Sequence, residues 1–244
     1  MNNSYKTEYF IKYSETDGSY RMRPDYIVSH FQDITGEHSF EMGIDGPTMK
    51  EKSNAFWVVT KMKLKFLELP QFGDTVELET WPTFFDRVRF GRDYRICQNG
   101  KVAVMGTSEW CTIDLDSRMI RRTESVCYPH DMVHREDRSG AGTFIRIKET
   151  VSEEDFCYRH KVLFVDIDTN GHTNNVAYLR MMLNTFAPEE FSKLNIDEMQ
   201  VNFVSQSFYN DEIAVYKKRT DYGYYVEGKK DNLTVFTTHI VEKK

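Results

Sequence analysis

The chain has 244 residues and a formal net charge of −6, from 32 lysines and arginines against 38 aspartates and glutamates. Length alone allows one large domain or two of roughly 120 residues. A content of 40% hydrophobic and 29% charged residues is typical of a folded globule and excludes a disordered chain. The acidic balance argues against a nucleic-acid interface or an anionic membrane surface.

The cysteines lie far apart and form no C-x-x-C pair. Such a pattern is typical of reduced thiols in a cytosolic protein and supports neither a zinc site nor a disulfide framework. No stretch approaches about 18 apolar residues, and the first residues contain no apolar leader. We therefore expect a cytoplasmic protein without a membrane span. The four cysteines are Cys97, Cys111, Cys127 and Cys157.

The predicted elements begin with a strand from Glu8 to Tyr13 and a polar turn after it. Hydrophobic residues then recur at helical spacing from Pro24 to about Glu41, which predicts one long buried helix. From Asn54 the hydrophobic period changes to two, as in strands. Asn99-Gly100 joins two alternating runs and predicts a hairpin. The first half is thus a strand, a helix and a meander of about four strands.

Residues 116–149 lose this regularity and form a linker by composition. His130 and His134 within it have the spacing of a metal pair. Asp131 stands where the zinc-protease motif needs glutamate, and no helix is predicted there. We therefore expect no metal site.

After the linker, the pattern of the first half occurs again. Ser14–Tyr20 parallels Asp166–His172, and Leu64–Leu67 parallels Val201–Val204. The first copy is longer between its helix and its next strand, around residues 43–54, where an insertion is tolerated in a loop. A tandem duplication explains this order.

A long helix wrapped by an antiparallel sheet, present twice, predicts an α+β double hotdog fold with the two sheets joined edge to edge. Joining the sheets also covers two open strand edges. We divide the chain into a first repeat at residues 1–120, a linker at residues 121–149 and a second repeat at residues 150–244.

The densest polar cluster is a loop in the second repeat that contains Asp168, Asn170 and His172. An apolar run, Val162–Val165, is predicted as a strand before it, and a helix follows it. A carboxylate and an imidazole are common acid–base groups, and a helix start favours developing negative charge.

The same residues also suit a plain turn, since Asp-x-Asn-Gly is a turn motif in its own right. At the positions matched by sequence, the first copy has Thr16, Gly18 and Tyr20. The fold would then form this turn without the three polar residues, which favours a functional role for them.

The polar loop also matches a known family. It resembles the active-site motif of the fatty acyl–acyl-carrier-protein (acyl-ACP) thioesterases of plants and bacteria, and two strand motifs are similar to that family as well. The resemblance covers nearly the whole chain in the right order. It implies a double hotdog hydrolase that releases free fatty acid from acyl-ACP. The motifs are Asp168-x-Asn170-x-His172 with Asn174-Asn175-x-x-Tyr178, Phe56–Met62, and Pro70-x-x-Gly73-Asp74 with Thr80-Trp81.

The resemblance assigns roles to the loop. Asn170, with the helix start, would orient the carbonyl or the water, and His172 would donate or shuttle a proton. Asp168 would act as base or as nucleophile through an anhydride. The family usually has a glutamate where this chain has Gln206, which can hold a water but cannot act as a base. Ser207 beside it lacks a second histidine to activate it.

An acyl chain needs an apolar slot, expected between the helix and the sheet of the first repeat. Trp57 is the substrate-binding candidate, with Phe31, Phe40, Met42 and Met49 as further apolar residues that suit a core equally well.

The expected partner is an acidic acyl carrier protein, so a chain of charge −6 needs a local basic face. A homodimer is also expected, and no cofactor, metal or nucleic acid. Three candidate basic faces stay open: Arg87, Arg89, Arg92 and Arg95; Lys61, Lys63 and Lys65; and Arg118, Arg121 and Arg122.

Other functions stay open at this stage. An acyl-CoA thioesterase would need a nucleotide phosphate site, for which no motif is present. The Gln206 departure leaves room for a non-catalytic acyl-binding protein. A dehydratase on the same scaffold would not explain the polar loop.

Overall fold

The computed structural model describes residues 3–243. Each repeat contributes five antiparallel strands to one sheet. The strands are β1 Tyr5–Phe10, β2 Ala55–Phe66, β3 Thr75–Phe85, β4 Phe90–Gln98, β5 Lys101–Asp114, β6 Phe156–Lys161, β7 Ile196–Phe203, β8 Glu212–Arg219, β9 Gly223–Lys230 and β10 Leu233–Glu242. The helices are α1 Pro24–Glu41, α2 Gly46–Ser53, α3 Asn175–Leu183 and α4 Pro188–Lys193.

The strand order is symmetric about the middle of the sheet, β1-β3-β4-β5-β2 followed by β7-β10-β9-β8-β6. The two halves join where β2 pairs with β7, from Lys61–Asn202 to Lys65–Glu198. Lys63 pairs with Gln200 at the centre, and these residues are equivalent in the two copies. The predicted double hotdog fold is confirmed.

Helices α1 and α3 pack against each other and against one face of the sheet. Their buried side chains join those of both half-sheets in one continuous core. Phe31 of α1 stacks on Tyr94 of β4, and Tyr178 of α3 lies against Phe236 of β10. A single core across the β2–β7 joint makes the two repeats one packing unit.

Several predicted elements are confirmed. Helix α1 covers the predicted range, and Asn99 and Gly100 both have positive φ, as a two-residue hairpin requires. The predicted strand at Val162–Val165 is wrong. Strand β6 ends before it, and Phe164 and Val165 are 85% and 78% exposed in a short 3₁₀ turn. The apolar run was misleading because only Val162 packs in the core, whereas the side chains of Leu163, Phe164 and Val165 are exposed.

The extra residues of the first copy form α2 and the turn before it. Asp45 caps this helix by accepting a hydrogen bond from the backbone N–H of Thr48. In the second copy, the helical segment stops after α3 and resumes at Pro188 as α4, since proline cannot continue a helix interior.

The segment between the repeats crosses the face of the sheet opposite the helices. The guanidinium groups of Arg95 and Arg135 both lie over the Trp81 ring. Arg138 pairs with the buried carboxylate of Asp93, and Gln200 exchanges hydrogen bonds with the backbone of Ile145. This strap therefore binds both half-sheets. No helix among residues 3–243 is long and apolar enough to cross a membrane.

Candidate active site

A cleft of about 540 Å³ runs from the polar loop of the second repeat into the first repeat. Its walls come from α1, from strands β2 to β5 and from the turn before α2. The four predicted site residues and Trp57 all line it, so the structure brings them together. Besides Trp57, the first repeat contributes Gln32, Thr35, Ser39, Ile44, Phe90, Arg92, Trp110 and Tyr128.

Asp168 organises the polar loop through one of its two oxygens. Its Oδ1 accepts hydrogen bonds from the backbone N–H groups of Asn170 at 2.8 Å and His172 at 3.1 Å. Its backbone N–H also donates to the His172 carbonyl, and Gly171 supplies the positive φ that the turn requires. Within residues 3–243, Oδ2 accepts no hydrogen bond, so it is available to a substrate or a water.

The equivalent of Asp168 in the first copy is Asp17, not Thr16. The isolated bridge Thr16–Met22 of the first copy corresponds to the bridge Ile167–Thr173 of the second. Equivalent residues of the two loops are therefore separated by 151 positions in the sequence. The alignment by sequence, with a separation of 152, was therefore wrong by one residue. The argument that the first copy forms this turn without an aspartate is also wrong.

The correct comparison still separates the two copies. In the first copy Asp17 Oδ1 accepts from the backbone N–H groups of Ser19 and Arg21, the same two bonds as in the second. Asp17 Oδ2, however, accepts from Arg21 Nε at 3.1 Å and Nη2 at 2.9 Å. Since His172 stands in the position of Arg21, the second carboxylate oxygen of Asp168 is left open. In the first copy an ion pair with Arg21 occupies the second oxygen of the aspartate, and in the second copy, within the described residues, no side chain does so.

His172 is half-buried between two aromatic rings at the mouth of the cleft. Its ring lies 6.0 Å from that of Phe56 and 5.2 Å from that of Phe208. Burial lowers the pKa of His172 from its usual value; the Asp168 carboxylate opposes this shift, and the Arg118 cation adds to it. The imidazole is therefore held toward its neutral form, which can accept a proton from water.

The start of α3 borders the same loop. Asn174 is its N-cap and accepts a hydrogen bond from the backbone N–H of Val176 at 2.9 Å. Asn170, Asn174 and Asn175 all line the cleft. Amide donors and a helix N-terminus at one point suit the negative charge that develops on a carbonyl oxygen.

Gln206 reaches the cleft from the segment after β7. Its neighbour Ser207 is fully buried, and its Oγ lies 2.6 Å from Thr173 Oγ1 and 2.8 Å from the Tyr178 hydroxyl. Ser207 therefore anchors the loop to α3. The position of Gln206 in the first copy is Leu69, which packs on the core. The second copy thus has a polar group where the first has an apolar one.

Trp57 forms a wall of the cleft. Its indole Nε1 donates to the carbonyl of Ile44 at 2.8 Å, and its ring makes a T-shaped contact with that of Phe90 at 4.9 Å between centroids. Of the other apolar candidates, Phe31 is fully buried in the core and Phe40 is 74% exposed. Met42 and Met49 belong to a small separate core cluster beneath α2.

Sequence reasoning placed Phe56 only in a strand motif and Arg118 only in a candidate docking face, and it missed the contacts by which the two shape this site. Phe56 stacks on His172, and Arg118 places its guanidinium 5.8 Å from the Phe56 ring. Arg118 has a positive φ, uncommon for a residue with a side chain, on a turn after β5. No local sequence signal marks these contacts, because they form between segments that are distant in the chain.

Most of the basic residues proposed as docking faces are neutralised by acidic neighbours. Lys63 pairs with Glu198 at 2.8 Å, and Arg95 pairs with Asp137. Within residues 3–243, Arg118 forms no ion pair. Further pairs are Lys61–Glu109, Lys65–Asp197, Arg89–Asp86, Arg121–Asp114 and Arg122–Glu124.

His130 and His134 both pack their rings on Phe85. Among the described residues, no group of three or more histidine, cysteine or acidic side chains is arranged to hold a metal ion.

The fold and the cleft define a double hotdog protein in which the second repeat supplies a polar loop and the first supplies most of the walls of the cleft. Two family models match the chain. The model for the acyl-ACP thioesterase N-terminal domain matches residues 2–128, and that for the C-terminal domain matches residues 149–242. The chain belongs to the acyl-ACP thioesterase family.

Curated relatives are similar at low identity. An oleoyl-acyl carrier protein thioesterase of Coriandrum sativum is 23% identical, over 86% of this chain and 61% of the relative. An acyl-[acyl-carrier-protein] hydrolase of Cuphea viscosissima is 28% identical, over 77% of this chain and 48% of the relative. The chain thus spans about half to three-fifths of the length of these relatives.

Solved structures share the fold over the full chain. An acyl-ACP thioesterase from Bacteroides thetaiotaomicron superposes with a TM-score of 0.89 at 21% identity, covering 99% of this chain and 98% of that one. The 12:0-ACP thioesterase from Umbellularia californica gives 0.86 at 14% identity, covering 100% and 98%.

Proposed function

We propose that this protein hydrolyses the thioester of fatty acyl-ACP, releasing free fatty acid and the carrier thiol, and so ends chain elongation. The observation that supports this most is the contrast between the two copies of one loop. Asp17 is closed by an arginine, whereas Asp168 has an open oxygen beside a histidine that faces a chain-sized cleft.

In the proposed reaction, the Asp168 carboxylate activates a water, or attacks the thioester carbon itself to form an anhydride that water then opens. Asn170 and the start of α3 hold the carbonyl oxygen as it gains negative charge. In direct hydrolysis, His172, held neutral by burial, receives the proton that the water loses and passes it to the departing thiolate. In the anhydride route the thiolate leaves first, and His172 later takes the proton from the water that opens the anhydride and passes it to the thiolate. Gln206 orients the water as a hydrogen-bond partner.

Each of the two repeats has its own role in this proposal. The first repeat, residues 1–120, would hold the acyl chain with Trp57 as part of the wall, and the second, residues 150–244, would supply the catalytic loop. We propose that the carrier docks at the cleft mouth near Arg118, a cation beside the site. A cytoplasmic location suits the four free thiols. A homodimer stays a prediction.

The decisive experiment measures thiol release from acyl-ACP and acyl-CoA substrates over a series of chain lengths. Asp168→Asn and His172→Ala serve as inactive controls, and Gln206→Glu is expected to keep or raise turnover. We expect faster hydrolysis of the ACP thioester, with a Michaelis constant that rises with salt because docking to an acidic carrier is electrostatic.

Three outcomes would contradict parts of this proposal. Equal rates on both carriers, with no salt effect, would make the carrier assignment wrong and favour an acyl-CoA thioesterase. Unchanged turnover in Asp168→Asn would make the catalytic assignment wrong. Acyl binding without thiol release would make the protein a non-catalytic acyl-binding member of the fold.

A further inference from the structure

An exposed apolar surface, called the mouth patch below, lies on the second repeat. It is formed by the short turn after β6 and by the segment after β7, and backbone hydrogen bonds hold the two together. The N–H of Val162 donates to the carbonyl of Asp211 at 2.9 Å, and the N–H of Asn210 donates to the carbonyl of Val162 at 2.9 Å. The six side chains of the patch, each between 45% and 85% exposed, are Leu163, Phe164, Val165, Val204, Phe208 and Tyr209.

The mouth patch is continuous with the candidate active site. The ring of Phe208 makes a T-shaped contact with that of His172 at 5.2 Å, and Val204 lines the cleft. Between these two patch residues, the carbonyl of Ser207 accepts a hydrogen bond from the backbone N–H of Thr173 at 2.9 Å. The segment that carries the patch is therefore tied to the polar loop, and a partner seated on the patch lies at the mouth of the cleft.

The fold does not require apolar side chains on the turn after β6. In the first copy the equivalent turn is Lys12–Ser14, and it has the same 3₁₀ geometry. Ile11 anchors that turn by the same pair of backbone hydrogen bonds that Val162 makes in the second copy. A lysine and a serine thus suit the positions at which the second copy exposes Leu163 and Val165. Contiguous exposed apolar side chains typically mark an interaction surface.

The charges at the mouth are divided between its two sides. The Lys230 ammonium lies 5.8 Å from the Phe208 ring and is paired with Asp211 at 2.7 Å. Across the mouth, Arg118 lies beside Phe56 and, within residues 3–243, forms no ion pair. One side of the mouth is therefore an apolar surface whose neighbouring cation is neutralised, and the other side has an unpaired cation.

The position of the mouth patch selects its occupant. The acyl chain stays attached to its carrier until the thioester breaks, so the carrier must lie against the surface around the mouth while the chain is in the cleft. A lipid bilayer or a second copy of this chain on the same surface would cover the mouth and keep the carrier out.

We propose that the mouth patch is the apolar part of the docking surface for the acyl carrier protein. It binds an apolar face of the carrier, next to the acidic groups that meet Arg118. This inference rests on the proposed function, because it places the carrier of the same substrate. Burial of apolar side chains supplies affinity that salt does not screen, whereas the attraction to Arg118 weakens as salt rises.

The test removes two patch side chains that lie outside the cleft. The double variant Phe164→Ser with Val165→Ser changes only exposed side chains, so the fold should persist. Tyr13→Ser is the matched control, because Tyr13 occupies the position of Phe164 in the first copy. Each protein is assayed with one acyl group on two thiols, ACP and N-acetylcysteamine, which has no protein body to rest on the patch.

We expect the double variant to lose about tenfold in kcat/KM on acyl-ACP, equivalent to about 1.4 kcal/mol. The loss should appear in KM rather than kcat and should persist at high salt. Hydrolysis of the N-acetylcysteamine thioester should match that of the wild type, and Tyr13→Ser should keep both rates.

Wild-type kcat/KM on acyl-ACP in the double variant, or an equal loss in Tyr13→Ser, would overturn the inference and leave the proposed function standing. An equal loss on the N-acetylcysteamine thioester would also overturn it, because the effect would then lie in the cleft. Hydrolysis of neither thioester would refute the proposed function instead. Calorimetric binding of the acyl carrier protein then decides: weaker binding by the double variant supports the inference, and equal binding overturns it.

The two other occupants have their own measurements. Wild-type protein that sediments with phosphatidylcholine vesicles, and no longer does so in the double variant, would overturn the inference in favour of a bilayer. A dimer in analytical ultracentrifugation that dissociates in the double variant would overturn it in favour of a second copy. An oligomeric state unchanged by the double variant, with no sedimentation on vesicles, supports the carrier as the occupant.

Discussion

Replacing the same aspartate in each copy of the repeat separates catalysis from stability. Asp168 and Asp17 each accept two backbone hydrogen bonds through Oδ1. Asparagine keeps a carbonyl oxygen for those bonds but loses the charge. Asp168→Asn should therefore leave the turn folded and remove the reactive carboxylate. Asp17→Asn is the matched control, because it changes the same turn away from the cleft.

The magnitudes follow from the contacts. Loss of a general base typically costs 10²–10⁴-fold in rate, about 3–5 kcal/mol of barrier. In Asp168→Asn the free energy of unfolding should fall by only about 1 kcal/mol, because neutral acceptors bind amides less strongly than carboxylates. Asp17→Asn also loses the charge-assisted pair with Arg21. The side chains of Arg21 and Asp17 are only 24% and 12% exposed. This variant should cost about 1–2 kcal/mol more.

The assay pairs thiol release from acyl-ACP with urea unfolding of each variant. We expect Asp168→Asn to be inactive and nearly as stable as wild type, and Asp17→Asn to be active and less stable. Each kcal/mol corresponds to about 2–4 °C in melting temperature for a chain of this size. Retained turnover in Asp168→Asn, or an equal loss of turnover in both variants, would refute the reasoning.

Three further predictions concern the neighbours of this loop. Because neutral His172 is the active form and Arg118 helps to lower its pKa, kcat/KM should fall on the acid side; Arg118→Gln should move that limb to higher pH, and an unmoved limb would exclude the coupling. Trp57→Phe removes one indole hydrogen bond, so the Michaelis constant should rise and unfolding free energy fall by about 1 kcal/mol; unchanged values would exclude Trp57 from the wall. Ser207→Ala should cost about 1–3 kcal/mol in urea unfolding with less than a tenfold loss of turnover; a loss as complete as in Asp168→Asn would make Ser207 a nucleophile.

Sequence patterns predicted the repeated fold because the buried faces of both copies repeat. The 137-residue separation matches Leu64 of β2 with Val201 of β7, which are both fully buried, and a slip of one residue would match core-facing positions with outward-facing ones. No such constraint acts on the polar loop. There, the alignment followed the chance identity of Tyr26 and Tyr178 and went wrong by one residue.

The parts of the site that could not be predicted from the sequence are those formed by tertiary contacts. Asp168, Asn170 and His172 are close in sequence, so their turn is a local feature. The Phe56 contact and the Arg118 cation come from the first repeat and its trailing turn, and only the tertiary fold brings them to His172. Whether Asp168 Oδ2 is open depends on one residue, since an arginine at position 172 could close it as Arg21 closes Asp17.

The shared strand edge makes the two repeats interdependent. The cleft lies largely in the first repeat and the reactive loop in the second, and the β2–β7 pairing from Lys61 to Lys65 fixes the distance between them. Phe56, at the start of β2, meets the loop directly, so any shift of this joint would separate His172 from the slot. Neither repeat alone contains both parts, and a shear of one strand residue, about 3.3 Å, exceeds the misplacement that catalysis tolerates. The two copies therefore differ in more than their core packing, because the first has an ion pair that closes its aspartate and the second has a histidine in place of the arginine.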